Sequence, residues 1–253
     1  MKQLHHDFWN FRGSFKTAKV IEIGTHMSLL RRANGRFLVL DSYGLADDDL
    51  AQLLALTGGG ALVDAVINLH PFHTIHCSAL SDALPQARMI GTARHHTEVP
   101  EIAWDPALIE HASTQADFAE DLEFSIPAGV DFISADDKVH VGSVIARHRA
   151  SGIVHVDDTI NVWMAPGILS AVLPEPKLGF HPMLPKALEK RAGAADDYAR
   201  WARDLARDWA ATPIVCAAHS AVRELPPGGF ATELLAALGK VEDTLADHRK
   251  EYG

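Results

Sequence analysis

The chain has 253 residues, 47% of them hydrophobic, enough to bury a large core, and a single domain spanning 1–253 is expected. Its formal charge of −10, from 23 Lys and Arg against 33 Asp and Glu, argues against any general affinity for nucleic acid or anionic lipid. Two cysteines, Cys77 and Cys216, are too few for a disulfide framework and read as small buried residues. The opening MKQLHHDFWNFRGSFK has no signal-like apolar core, and no run of about 18 apolar residues follows, so a cytoplasmic protein without a membrane partner is expected.

In chain order, Ala18 to Ile23 and Met27 to Arg31 are short β-prone runs, and Arg36 to Leu40 follows the hairpin signal Asn34-Gly35. Asp41 ends that strand. Asp47 is expected to cap a helix carrying Leu50, Leu53, Leu54 and Leu56, which Gly58-Gly59-Gly60 stops. Val63 to Leu69 reads as a buried strand, Ser78 to Leu84 as a short helix and Ala87 to Thr92 as another strand. Asp105-Pro106 has the form of a helix opening, with the helix expected to run to about Glu120. Strands are expected around Leu122 to Ile126 and Asp131 to Ser134, then a hairpin of Lys138 to Arg147 with Gly152 to Val156. Pro174 to Pro185 is irregular, Lys186 to Ala210 forms a long amphipathic helix, and Ile214 to Ala217 is a core strand leading to His219. A final helix presents Leu234, Leu238, Val241 and Leu245. Strands and helices in this order favour a layered α/β arrangement.

The segment Leu69-His70-Pro71-Phe72-His73-Thr74-Ile75-His76 places three histidines directly after an apolar strand. Imidazole and carboxylate donors at strand ends are suited to a divalent metal, and further donors stand at His140, Asp157-Asp158 and His219. A metal held by such donors brings the pKa of its water toward neutrality and so generates a nucleophile. Of the other histidines, His5, His6, His26, His95, His96, His111, His148, His181 and His248 read as surface or satisfied partly buried side chains.

Taken together, Phe37-Leu38-Val39-Leu40-Asp41-Ser42, the histidine segment, Val139-His140-Val141-Gly142-Ser143-Val144, Ile153 to Thr159 and Pro213 to His219 resemble the metallo-β-lactamase superfamily. The resemblance implies a four-layer αββα sandwich of two mixed β-sheets flanked by helices. It also implies one metal on His73, His140 and Asp158 and another on His76, His219 and Asp158, with His70 as a substitute ligand. Asp158, rather than Asp157, takes the place of the bridging aspartate and is the expected catalytic residue. The sequence departs from the family's His-x-His-x-Asp-His pattern, with Pro71 where the first histidine belongs and Ile75 where the aspartate belongs. The spacing before Gly142-Ser143 is one residue short.

The expected activity is metal-dependent hydrolysis, in which a metal-bound hydroxide attacks an ester, amide, thioester or phosphoester of a small-molecule substrate. Zinc is the first choice of metal, with iron or manganese also suited, as a single ion or absent altogether. The alternative is a catalytically degenerate protein of the same fold that serves as a binding or assembly module; an oxygen-handling iron site is a third reading. The loops Thr92 to Trp104 and Pro174 to Pro185 would select the substrate, with Trp163, Met164 and Phe180 as pocket-lining or core residues, and the apolar face of the last helix can serve a homodimer.

Overall fold

A computed structural model describes residues 1–13, 16–17, 21–22, 25–163, 176–218 and 221–253. The chain divides into two compact units, residues 1–124 with 146–151, and residues 125–145 with 152–253.

The first unit runs β1 (Lys2–His5), β2 (Phe8–Gly13), β3 (Lys16–Thr17), β4 (Ile21–Glu22), β5 (Thr25–Arg31), β6 (Phe37–Leu40), α1 (Asp47–Leu56), β7 (Val63–Ile67), α2 (Cys77–Ala83), β8 (Arg88–Gly91), α3 (Ala93–Glu98), β9 (Trp104–Leu108) and α4 (Ala112–Ala116). Its main sheet has seven strands in the order β1-β2-β5-β6-β7-β8-β9. The β5–β6 pair is antiparallel, joined across the short Asn34-Gly35 turn, whereas β6, β7 and β8 are parallel because α1 and α2 carry the chain back between them. All four residues of β6 are buried, as parallel strands covered on both faces should be. Helix α1 opens on three aspartates, which suit the positive end of its dipole, and stops where Gly58, Gly59 and Gly60 take φ of 61°, 70° and 88°. The hairpin β1–β2 was not expected from the sequence.

The helix expected from Asp105 to Glu120 is replaced by β9 and the short α4. Pro106 is tolerated because β9 is the edge strand, where a missing amide hydrogen breaks no ladder. The Asp105 side chain, rather than capping a helix, pairs with Arg88 of β8 at 2.8 Å and accepts from the Ala107 amide at 2.9 Å.

Around the Asn34-Gly35 turn the first unit is held by charge. Arg32 donates to Asp121 at 2.8 Å and to Asp64 at 2.7 Å, the Ala33 amide donates to Asp121 at 2.9 Å, and Arg36 also binds Asp64. Burial pushes the Asp64 carboxyl up, but Arg36 and Arg32 outweigh it and hold it below its ordinary range.

His148 is 2% exposed, its Nδ1 2.9 Å from Ser151 Oγ and its ring 5.8 Å from that of Phe8. Burial pushes its pKa down to about 4. The unfolded imidazole takes a proton near 6.5 and the folded one only near 4, so the unfolded state binds more protons between those values and stability falls as pH drops. From pH 7 to pH 5 the loss from this residue should be about 2 kcal/mol, and His148→Phe should remove it from a urea denaturation series. An unchanged pH slope in that variant would show that His148 is not the group responsible.

The rest of the chain comprises β10 (Leu122–Ser125), β11 (Ile145–His148), β12 (Val154–Val156), β13 (Ile160–Trp163), β14 (Lys177–Phe180), α5 (Leu184–Ala187), α6 (Ala194–Asp208), β15 (Ile214–Ala217), β16 (Val222–Glu224), α7 (Gly229–Lys240) and α8 (Glu242–Tyr252). The second sheet has five strands in the order β10-β11-β12-β15-β16. Within the second unit β12 and β15 are parallel, β15 and β16 antiparallel, and β13 and β14 form a separate ribbon. Val154, Val156, Val215 and Ala217 pack with Tyr198, Ala202 and Leu205 of α6 in the unit's core.

Three expectations in this half need correction. Residues 131–134 and 138–144 are irregular rather than strand, so the expected hairpin contributes only Ile145–His148 and Val154–Val156. The long helix from Lys186 to Ala210 is broken, because Leu188 turns extended (ψ 131°) to bridge Val130 and Glu189 N–H donates to the Gly129 carbonyl at 3.0 Å. Gly129 has φ +75°, and a Cβ there would lie 2.1 Å from the Ala194 carbonyl oxygen, so only glycine lets these segments meet. The final helix is likewise two, α7 and α8, separated at Val241.

Candidate metal centre

In the first unit the histidine segment is anchored by the residue that ends β6. Asp41 has φ +60°, a left-handed conformation that aspartate tolerates better than most residues, and it is 2% exposed. Its amide donates to the Ile67 carbonyl at 2.9 Å, and its Oδ1 accepts the Leu69 amide at 2.7 Å. Next to it Ser42 donates to Asn68 Oδ1 at 2.7 Å, while Asn68 Nδ2 donates to the Ile90 carbonyl at 3.3 Å. The start of the histidine segment is thus fixed from β6 on one side and β8 on the other.

His70 is fully buried, and its Nδ1 accepts the Phe72 amide at 3.0 Å. Its ring stacks on that of His73 at 4.1 Å and 15°. His76 stands at the N-cap of α2, its ring edge-on to Tyr43 at 5.4 Å, and a Cβ on Gly44 would come within 3.1 Å of its Nδ1. Burial, with His73 beside it, holds the His76 imidazole below its ordinary pKa, which keeps the ring in the neutral form a metal takes. Among the described residues, however, His70, His73 and His76 do not together form a group of three donor atoms within 4.8 Å of one another, so the segment by itself is not a complete ligand set. Ile75 is 70% exposed at the position where the resemblance asks for a carboxylate.

The neighbouring cysteine is a buried thiol. Burial pushes the Cys77 thiol up to about 12, and its Sγ lies 3.5 Å from Asn68 Oδ1 and 3.6 Å from the His73 carbonyl oxygen. His95 is fully buried, with Nδ1 accepting the Thr92 amide at 3.1 Å in a capping box, and burial pushes its pKa down to about 4. It serves the start of α3.

In the second unit His140 Nδ1 lies 2.9 Å from Asp158 Oδ2, with the aspartate side chain 1% exposed and the histidine 38%. Asp158 follows β12, as expected, and the irregular segment 138–144 brings His140 to it. One hydroxyl joins the two stretches. Thr159 Oγ1 donates to the Val141 carbonyl at 2.8 Å and accepts from the Ser143 amide at 3.1 Å and the Ser143 hydroxyl at 2.8 Å. Between them Gly142 passes so close to the chain that a Cβ would lie 2.9 Å from Phe132 Cα, which explains the glycine before Ser143. Asn161 Nδ2 donates to the Asp158 carbonyl at 3.0 Å.

His181, read from the sequence as an ordinary side chain, has its ring 6.1 Å from that of His140, and its Nδ1 accepts the Met183 amide at 3.1 Å. The overlooked signal is the one that marked His70, a histidine directly after an apolar strand, here β14. His219 and Met164 lie outside the described residues. Imidazole and carboxylate, as His140 and Asp158 offer within the second unit, are donors that zinc, iron and manganese accept. No helix among the described residues is long and apolar enough to cross a membrane.

No family model matches the sequence, and no curated protein matches it. Solved structures do. A metallo-β-lactamase from Erythrobacter litoralis superposes with a TM-score of 0.60 over 94% of this chain and 95% of that one, at 12% identity. One from Hirschia baltica gives 0.54 over 95% of each chain at 15% identity. FIM-1 from Pseudomonas aeruginosa, in its mono-zinc form, gives 0.56 over 94% of each at 10% identity. With mixed sheets of seven and five strands flanked by helices, this chain has the metallo-β-lactamase fold.

Proposed function

We propose that the chain is a metal-dependent hydrolase in which Asp158 and His140, with His70, His73, His76 and His219 as further donors, hold a divalent ion, zinc by first choice. The observation that carries this reading is the 2.9 Å pairing of His140 with an almost completely buried Asp158 carboxylate. Burying a carboxylate is costly unless cations or donors compensate it, and a histidine facing it from the segment 138–144 gives the imidazole–carboxylate pair that a metal site uses. When bound, the ion would supply Lewis acidity and a water of lowered pKa. The protein's own part is to hold the donors, with Thr159 and Asn161 fixing the backbone at Asp158 and Asp41 fixing the entry to the histidine segment. Scissile ester, amide, thioester and phosphoester groups of small molecules all suit such a centre.

Elemental analysis of protein purified without chelator should find close to one equivalent of zinc, iron or manganese, together with hydrolysis of at least one of p-nitrophenyl acetate, bis(p-nitrophenyl) phosphate and a chromogenic β-lactam. Less than about a tenth of an equivalent would remove the basis of the reading. It would favour instead a binding or assembly module, which one observation supports, the solvent-facing Ile75 in place of a carboxylate.

A further inference from the structure

We propose that the tip of the first hairpin is a separate metal site, in which His5, His6 and Asp7 bind a divalent late transition ion, copper(II) most tightly. One donor atom from each of these residues lies within 4.8 Å of the other two. His6 Nε2 is 2.7 Å from Asp7 Oδ2, and the rings of His5 and His6 are 3.9 Å apart at 43°. The site is open to solvent, with the His6 side chain 74% exposed and that of Asp7 20%. Asp7 Oδ1 faces Arg31 Nη1 at 3.6 Å, so the guanidinium steadies one oxygen and leaves Oδ2 toward the imidazoles. The Asp7 amide donates to His5 Nδ1 at 3.3 Å and the Arg31 amide to the Asp7 carbonyl at 2.9 Å, which fix ring and turn respectively.

Turn chemistry does not explain these residues. His6-Asp7 is a two-residue connection between β1 and β2, a place that ordinarily recruits Asn-Gly or Asp-Gly because both central residues take positive φ. Here neither does, and the ladder absorbs the mismatch by a register irregularity between Gln3 and His5. Two imidazoles and a carboxylate at a tip whose local rules favour other residues point to a role beyond the turn. Imidazole nitrogens with one carboxylate form an open set, the remaining positions being left to water, and affinity across such a site rises from manganese to copper.

The test uses the whole chain and copper(II) alone, followed by equilibrium dialysis and electron paramagnetic resonance. Wild type should bind one equivalent more than His5→Ala/His6→Ala, and the extra signal should carry nitrogen hyperfine splitting. Asp7→Asn should keep the stoichiometry but weaken that step by ~10-fold or more. Equal copper stoichiometry in wild type and the double variant would overturn the proposal. Asp158→Ala separates this site from the centre proposed above: the hairpin equivalent should survive in it, and its disappearance there would show that the hairpin holds no ion of its own.

Discussion

Asp158→Ala should leave the purified protein with less than about a tenth of the wild-type metal content, while circular dichroism and the denaturation midpoint show a folded chain. The aspartate side chain is 1% exposed and sits 2.9 Å from the His140 imidazole, so in the proposed site it is the carboxylate donor of the second unit. Without it, His140 remains an imidazole on an irregular segment with no carboxylate paired to it to help hold a dication. Hydrolysis of any substrate turned over by wild type should fall with the metal. Asp158→Asn is the informative companion, since it keeps size and hydrogen bonding but removes the charge; it should retain less metal than wild type and lose activity in proportion. Wild-type metal in both variants would mean that the ion is held elsewhere.

Asp121→Ala should cost about 3 kcal/mol of stability in a urea titration, with an unchanged slope. Its carboxylate is 4% exposed and accepts from Arg32 Nε at 2.8 Å and the Ala33 amide at 2.9 Å. Its removal strands an amide and half of a guanidinium that is only 16% exposed. Arg32 keeps Asp64 at 2.7 Å, which places the loss at the lower end of what breaking a buried pair costs. The double variant Arg32→Ala/Asp121→Ala should therefore lose less than the sum of its two single changes. A single-variant loss under about 1 kcal/mol would mean that solvent screens the pair as it does at an open surface.

What the sequence made legible was local. The Asn34-Gly35 turn, the buried β6 and β7, the triple-glycine stop after α1 and the α6 stripe of Ala195, Tyr198, Ala202 and Leu205 all follow from period and turn chemistry, and all are present. The places of Asp41 and Asp158 after β6 and β12 were likewise readable, because each follows an apolar run. The failures depend on distant partners. Asp105-Pro106 has the local form of a helix start, and only the edge position of β9 makes it a strand. Nothing near Leu188 announces a helix break, since the cause is its bridge to Val130, and the close approach of Gly129 to Ala194 that accompanies it joins residues far apart in sequence. His181 was missed because Pro174 to Pro185 has the form of an irregular segment, which conceals β14, the strand that His181 follows.

The single Thr159 hydroxyl that ties Val141 and Ser143 to the end of β12 has a kinetic corollary. His140 and Asp158 are already paired in the folded chain, so if they hold the proposed ion, the entropy of bringing them together is lost during folding, before any cation arrives. Ion capture by this half of the protein should then be gated by stripping water from the cation rather than by rearranging the polypeptide, giving loading rates that follow the exchange lability of each metal's hydration shell.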